Sequence, residues 1–209
     1  MNGYAQEVEV RNIDSVKVAR HLDSLIENFG EGKSVPPEYE LSFFVALSKF
    51  PELSSSQIKF KYTNIKTTLN ARPTVLSLLF RNRKKRKYVV RVNSKIKDSL
   101  VTLKTVPFNA QIGLFGHELT HFSDYRRRSF FGVVGRLFSY ATERGKETFE
   151  KEIDSLTIER GLGWQLYDWS FFVLNNSNGT EKYKNFKRKI YLEPNEIKAI
   201  ITGLSMTAD

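Results

Sequence analysis

Residues 109–127 read NAQIGLFGHELTHFSDYRR, and this stretch is the most informative part of the chain. Its apolar residues recur at helical spacing, which predicts a helix with one buried stripe. The stripe consists of Ile112, Phe115, Leu119 and Phe122. The neighbouring face carries His117, Glu118 and His121, the polar residues of an H-E-x-x-H motif. The sequence therefore predicts a polar site within an otherwise buried helix.

The motif contains two of the three histidines in the chain. Positions i and i+4 share one face of a helix, so His117 and His121 can bind one metal ion together. Glu118 can then take a proton from a water molecule that the metal activates, as in zinc metallopeptidases. We therefore expect a Zn²⁺ site in which Glu118 is the general base.

A catalytic zinc ion needs a third protein ligand and an open position for water. The remaining histidine, His21, is predicted to be solvated on an early helix, and the chain has no cysteine. The third ligand must therefore be a carboxylate. The stretch 146–160 is rich in acids and predicts a second helix with a short apolar seam. The seam is formed by Phe149, Ile153 and Leu156.

Two carboxylates of this second helix lie beside the seam. Glu150 and Asp154 are four residues apart, so they share one face. Glu150 can bind the metal while Asp154 accepts the free ring N–H of a histidine ligand, which fixes the imidazole tautomer. Glu143 and Glu147 lie one or two turns earlier and are rival ligands.

The combination of H-E-x-x-H with E-x-x-x-D on a second helix resembles the gluzincins, the thermolysin-like branch of zinc metallopeptidases. The minimal members of that group, the minigluzincins, place a small sheet before the motif helix. The resemblance covers residues 55–160 and implies Glu150 as the third ligand and Asp154 as the partner of His117. It also implies a histidine or tyrosine that stabilises the oxyanion. The sequence offers Tyr125, Tyr140 and Tyr167 for that role and does not choose among them.

The rest of the pattern predicts an α+β, zincin-like fold: N-terminal helices, a small mostly antiparallel sheet, the motif helix and C-terminal helices. Helical spacing predicts the N-terminal helices at residues 14–29 and 37–49, and one or two helices within 181–205. Alternation or apolar runs predict the strands. The predicted strands are 57–62, 74–80, 87–92 and 100–106.

These elements predict a single domain over residues 1–209. Its N-terminal helical part is 1–52, its metal-binding core is 53–162, and its C-terminal helical extension is 163–209.

Two segments have no role in this arrangement. The run RNRKKRK at residues 81–87 is expected to be a solvated hairpin tip that protects a sheet edge, with a nucleic-acid patch as the alternative. Residues 126–141 are a basic cluster followed by an apolar stretch. They can form a lid, a subunit contact, a membrane-surface helix or a short hairpin against the core.

Composition limits the class of protein. Of the 209 residues, 40% are hydrophobic and 13% aromatic, which can supply a substantial core. The absence of cysteine excludes a disulfide framework, a zinc ribbon and a thiol nucleophile. There is neither a signal-peptide pattern nor an apolar run long enough to span a membrane, so we expect a soluble, cytoplasmic protein. The net charge of +10 favours attraction to nucleic acid, acidic lipid or acidic protein.

We therefore expect a zinc-dependent peptidase whose substrates are polypeptides. The alternative is a non-catalytic or regulatory metal-binding protein whose basic face binds nucleic acid or a membrane surface. A zincin for nucleoprotein substrates, as in the SprT-like proteases, fits poorly. That family has a different third ligand and often a cysteine zinc ribbon, whereas this chain has no cysteine. The sequence does not indicate an oligomeric state.

Overall fold

The computed structural model describes residues 10–95 and 101–203. Two short helices, α1 (Ser15–Ala19) and α2 (Leu22–Phe29), come first, and both contact α3 (Pro37–Leu47). The prediction of a single helix over residues 14–29 is wrong, because the segment forms two helices that are interrupted near His21. His21 leaves the helical backbone region (φ −106°, ψ 5°), and the resulting bend lets each short helix contact α3.

The sheet has four strands within the described residues. They are β1 (Lys33–Ser34), β2 (Gln57–Thr63), β3 (Leu69–Pro73) and β4 (Lys87–Asn93), in the spatial order β1-β2-β4-β3. The pairs β1–β2 and β2–β4 are parallel, and only β3–β4 is antiparallel. The prediction of a mostly antiparallel sheet is therefore wrong. Strand β4 lies between β2 and β3 and runs parallel to β2, so the consecutive strands β2 and β3 do not pair as a hairpin. The mixed α+β class is confirmed.

The strands predicted at 57–62 and 87–92 are confirmed, but the one predicted at 74–80 is wrong. That segment forms helix α4 (Val75–Phe80), and β3 directly precedes it. An apolar run of this length does not distinguish a strand from a helical turn. The strand predicted at 100–106 is wrong for its described part, which contains a 3₁₀ turn at Leu103–Thr105. Leu100 lies outside the described residues.

Helices form the second half of the chain. They are α5 (Phe108–Arg127), α6 (Phe130–Ser139), α7 (Glu143–Thr157), α8 (Gly163–Phe171), α9 (Glu181–Ile190) and α10 (Pro194–Ile201). The predicted motif helix is confirmed as α5, and its predicted apolar stripe is buried in the core. A π-helical turn at Ile158–Leu162 separates α7 from α8, and Gly161 adopts a positive φ of 74° there. None of the helices in the described part of the chain has the length and apolar character that crossing a membrane requires.

Close contact between α5 and α8 determines where the motif lies. A Cβ atom on Gly113 would lie 2.0 Å from the carbonyl oxygen of Gln165, so only glycine allows the two backbones to approach this closely. On the other side, α5 contacts α3 and β3. As a result α5 is buried almost throughout Ala110–Tyr125, and its polar motif faces the interior.

The basic run at 81–87 is not a hairpin tip, because it connects α4 to β4 and contains a 3₁₀ turn at Arg83–Lys85. Nor is it wholly solvated. Arg86 is buried and donates hydrogen bonds to the carbonyl oxygens of Tyr125 and Arg128 at the end of α5. This side chain therefore satisfies acceptors that the last turn of a helix leaves open.

Candidate metal centre

Helices α5 and α7 bring two imidazoles and one carboxylate together. Oε2 of Glu150 lies 3.2 Å from Nε2 of His117 and 3.3 Å from Nε2 of His121. All three residues are buried, and their ligand atoms lie within 4.8 Å of one another. Among the residues the structure describes, this is the one cluster of three or more histidine and acidic side chains that can hold a metal ion.

The geometry of this cluster fits a small divalent ion. Tetrahedral coordination with bonds of about 2.0–2.1 Å separates neighbouring ligand atoms by about 3.3 Å, which is the separation observed between Glu150 and each histidine. Oε2 of Glu150 is also buried without a hydrogen-bond partner of normal geometry. A buried carboxylate oxygen needs a charge or donor to balance it, which a protonated imidazole supplies in the metal-free site and a metal ion would supply when bound. The structure thus contains a buried group that can bind a metal.

Asp154 is also buried and contacts the back of the first histidine. Its Oδ1 lies 2.8 Å from Nδ1 of His117, and its Oδ2 accepts a hydrogen bond from the backbone N–H of Leu192 at 2.9 Å. The first contact places the ring proton on Nδ1 and leaves Nε2 free to bind a metal. The second ties α7 to the segment between α9 and α10.

Charge in the cluster is strongly coupled. Burial disfavours the imidazolium of His117, but the hydrogen bond to Asp154 and the contact with Glu150 outweigh it and raise the pKa to about 10. Burial also acts against ionised Glu150, yet the two histidines hold the pKa of that carboxyl well below its usual range. Without a metal, the site therefore keeps a proton on His117 opposite an ionised Glu150.

Glu118 differs from Glu150 in its electrostatic surroundings. It is buried and lines the same cavity as the two histidines. Burial raises the pKa of its carboxyl above the usual range, although the histidines partly oppose this. Two carboxylates in one site thus have pKa values shifted in opposite directions, which is typical of sites that divide ligand and proton-transfer roles.

The acidic rivals on α7 lie away from the histidines. Glu147 pairs with Lys151 at 3.2 Å, and Glu143 pairs with Lys189 at 2.8 Å. Both pairs are partly or largely exposed to solvent. The structure therefore brings Glu150, and neither of these two acids, to the motif.

The three candidate tyrosines occupy different places. The hydroxyl of Tyr140 donates to Oε1 of Glu150 at 2.6 Å, and this residue lines the cavity. Tyr125 stacks on His121 with ring centroids 6.0 Å apart. Tyr167 lies on α8, stacked on Phe171, and does not line the cavity. Tyr140 and Tyr125 are thus at the site, and Tyr167 is not.

Tyr191 and Lys187 line the cavity and were missed by sequence reasoning. Tyr191 is half-buried overall, its ring centroid is 5.5 Å from that of His117, and it lines the cavity. Burial of its hydroxyl raises the pKa well above the usual value. The ammonium group of Lys187 lies 3.9 Å from the centre of the Tyr191 ring. No motif or spacing connects these residues to residues 117–121, so the sequence carried no signal for them.

The histidines open onto a cavity of about 240 Å³. One wall is the edge strand β3 and the residues before it, including Thr68, Asn70 and Ala71. The opposite wall is supplied by α8 and α9, with Trp169 and Lys187. The candidate metal centre therefore lies at the bottom of a mixed polar and apolar cleft.

The chain was compared with models of known protein families, with curated proteins and with solved structures. None of the three comparisons finds a match.

Proposed function

We propose that this protein is a zinc-dependent peptidase. The observation that carries the proposal is the convergence of His117, His121 and Glu150 beside Glu118 in one buried cavity. Two imidazole nitrogens and one carboxylate oxygen are the ligand set of many catalytic zinc sites. The H-E-x-x-H pattern supplies both histidines and the base from one helical face.

Each residue has a separate task in this proposal. His117 and His121 would hold the ion through Nε2, and Glu150 through Oε2. A bound zinc ion supplies a Lewis acid that polarises a carbonyl and lowers the pKa of water to about 7. Glu118 would accept the proton of the attacking water and return it to the leaving amine. A carboxyl with a raised pKa is suited to both steps.

The shape of the cleft favours an extended polypeptide as substrate. β3 is an edge strand, paired on one side with β4, and its residues Leu69–Ala71 line the cavity. An edge strand offers unpaired backbone N–H and C=O groups to which a second extended chain can bind. A peptide bound along β3 would pass the candidate metal centre.

Of the tyrosines near the histidines, Tyr125 does not line the cavity, so Tyr140 and Tyr191 are the candidates for stabilising the oxyanion. Tyr140 lines the cavity and already donates to Glu150, so a modest rotation could redirect its hydroxyl. Tyr191 lines the cavity on the His117 side. A donor aimed at the developing negative charge typically contributes 10²–10³-fold in rate, that is about 3 kcal/mol.

The proposal is tested by metal analysis together with one isosteric variant. The purified protein should contain about one zinc ion per chain, and His117→Ala or His121→Ala should abolish binding. Glu118→Gln should retain the zinc and the fold but lose hydrolysis of unstructured polypeptides, because Glu118 is assigned as a base and not as a ligand. Zinc loss in Glu118→Gln would contradict that assignment.

A second candidate is a metal-binding protein without catalytic activity that acts through its basic surface. The exposed run at 81–85 and the neighbouring Arg127 favour it. Heparin or DNA binding that persists at moderate salt after metal removal supports this candidate. Hydrolysis that is abolished by Glu118→Gln rejects it.

A further inference from the structure

Two short helices expose large apolar side chains. On α4, Leu76 and Phe80 are 71% and 79% exposed, and on α6, Phe131 and Phe138 are 81% and 70% exposed. Single exposed apolar residues are common, but clusters on neighbouring helices indicate a binding surface. No residue of either helix lines the cavity of the candidate metal centre, so that site does not account for their exposed apolar side chains.

Hydrogen bonds bring the ends of these two helices together. Arg83 follows α4 and donates to the carbonyl oxygen of Arg127, and Arg126 donates to the carbonyl oxygen of Lys84. Because α6 begins at Phe130, the end of α4 and the start of α6 lie on either side of this junction. Phe80 at the end of α4 and Phe131 near the start of α6 therefore both lie close to this junction.

The region between them is strongly basic. We call it the basic apolar surface; it comprises α4, α6 and six cations between them. The cations are Arg81, Arg83, Lys84, Lys85, Arg126 and Arg127. No Asp or Glu occurs between Leu53 and Lys97, or between Tyr125 and Thr142. Within the described ranges, none of the six cations forms an ion pair with a carboxylate, whereas Arg128 and Arg136 do.

We propose that the basic apolar surface docks on an anionic lipid bilayer. Large apolar side chains can enter the boundary between head groups and acyl chains, while lysines and arginines bind acidic head groups. Leu76 and Phe80 on one helix and Phe131 on the other supply the first interaction. The six cations between them supply the second. This inference does not depend on the peptidase proposal.

Other occupants fit the surface less well. Single-stranded nucleic acid binds to basic grooves through aromatic stacking. Phe80, Phe131 and Phe138 can stack on bases, but four of the seven exposed large apolar side chains on the two helices are aliphatic and cannot. They are Val75, Leu76, Leu79 and Leu137. A second copy of the chain would bring two clusters of unpaired cations together, and their repulsion opposes that contact. An acidic, partly apolar partner satisfies both features, and an anionic bilayer has this composition.

The first measurement is cosedimentation of the whole protein with two kinds of vesicle. Vesicles of phosphatidylcholine containing roughly 30% phosphatidylserine should bind it, and pure phosphatidylcholine vesicles should bind at least about tenfold more weakly. Binding should also decrease as salt rises, because five of the six cations are exposed and salt screens exposed charges. Equal binding to both kinds of vesicle, or to neither, would overturn the proposal.

A matched pair of double variants locates the contact. Phe80→Ser with Lys84→Ser removes one apolar and one basic group from the surface and should weaken vesicle binding by at least about tenfold. Val16→Ser with Lys17→Ser likewise removes one apolar and one basic group, here from α1, where both residues are exposed. The backbone N–H of Ile13, just before α1, donates a hydrogen bond to Asn109 at the start of α5. The start of this 20-residue helix is about 30 Å from its C-terminal end, where α4 and α6 meet. This control should bind vesicles as the unmodified protein does.

Three further outcomes would overturn the proposal. One is an equal loss of vesicle binding in the two double variants, provided that thermal unfolding shows that both are folded. Another is a fluorescent oligonucleotide that binds the protein more tightly than the anionic vesicles do. If Lys84→Ser weakened this binding and Phe80→Ser did not, the surface would be assigned to nucleic acid. The third is a dimer in sedimentation equilibrium that dissociates on Phe80→Ser, which would assign it to a second copy.

Discussion

Helix α7 has acidic side chains on two faces, and their surroundings are opposite. Glu150 and Asp154 are 3% and 2% exposed and face the histidines of α5. Glu147 and Glu152 lie toward solvent and pair with Lys151 and Arg136. The same residue types on the same helix thus form a candidate metal centre on one face and surface ion pairs on the other.

The difference shows that burial, more than residue type or spacing, separates the two groups. A carboxylate removed from water is strongly destabilising unless charge or hydrogen bonds compensate it, so a buried one needs specific partners. Glu150 and Asp154 have such partners in His117 and His121. Exposed pairs such as Glu147–Lys151 typically contribute only about 0–1 kcal/mol to stability. Metal affinity should therefore distinguish the two faces sharply.

Glu150→Ala is the most direct test of the difference between the two faces of α7. It removes a proposed ligand atom and the negative charge opposite the histidines, so zinc affinity should fall on the order of a thousandfold. Affinity is measured by competition with a chelator of known strength, with Glu147→Ala as the matched control one turn away. If Glu147→Ala lowered zinc affinity strongly and Glu150→Ala only slightly, the ligand would be one turn earlier on α7 and the proposed ligand set would be rejected.

Asp154→Ala should have a smaller effect on the same measurement. It leaves every proposed ligand in place but frees the ring of His117, which typically weakens metal binding by about 10–100-fold. Asp154→Asn keeps an oxygen that can accept the Leu192 N–H, and so separates the effect on the imidazole from the effect on packing. Unchanged affinity in both variants would show that this contact does not support the metal.

Zinc affinity should rise with pH because the metal and a proton compete for His117. The pKa of about 10 means that the metal-free site holds this proton at neutral pH. Each unit of pH lost below that value should weaken binding by about tenfold. Asp154→Asn should make this dependence less steep, since Asp154 is one of the two carboxylates that raise the pKa of His117. Chelator competition at several pH values checks the slope, and a flat profile in the unmodified protein would contradict the coupling.

Variants of the solvent-facing acids of α7 should have almost no effect on zinc affinity. Glu147→Ala and Glu152→Ala should change zinc affinity by less than about twofold, because neither carboxylate approaches the histidines. Their effect on the free energy of unfolding should stay within about 1 kcal/mol. Chemical denaturation and chelator competition measure the two quantities. A tenfold change in affinity for either variant would show that the outer face also contributes to the site.

Local pattern was sufficient for much of the fold and for part of the site. The helical stripe of α5 and the alternation in β2 depend on neighbours in sequence, and both are confirmed. The strand β3 was not recognised, because an edge strand with three of its five residues partly or fully exposed needs no apolar alternation. Its apolar neighbour, residues 74–80, was predicted as the strand and forms α4 instead.

The sequence alone identified the motif helix and predicted that a helix with carboxylates would lie against H-E-x-x-H. Both predictions depend on i and i+4 positions, which share a face wherever the helix lies. Which of several acids meets the histidines depended on how α7 crosses α5, a packing property. The same holds for Tyr191, whose approach to His117 joins segments more than seventy residues apart. Strand order in the sheet and the close contact at Gly113 likewise arise from long-range packing, which no local pattern encodes.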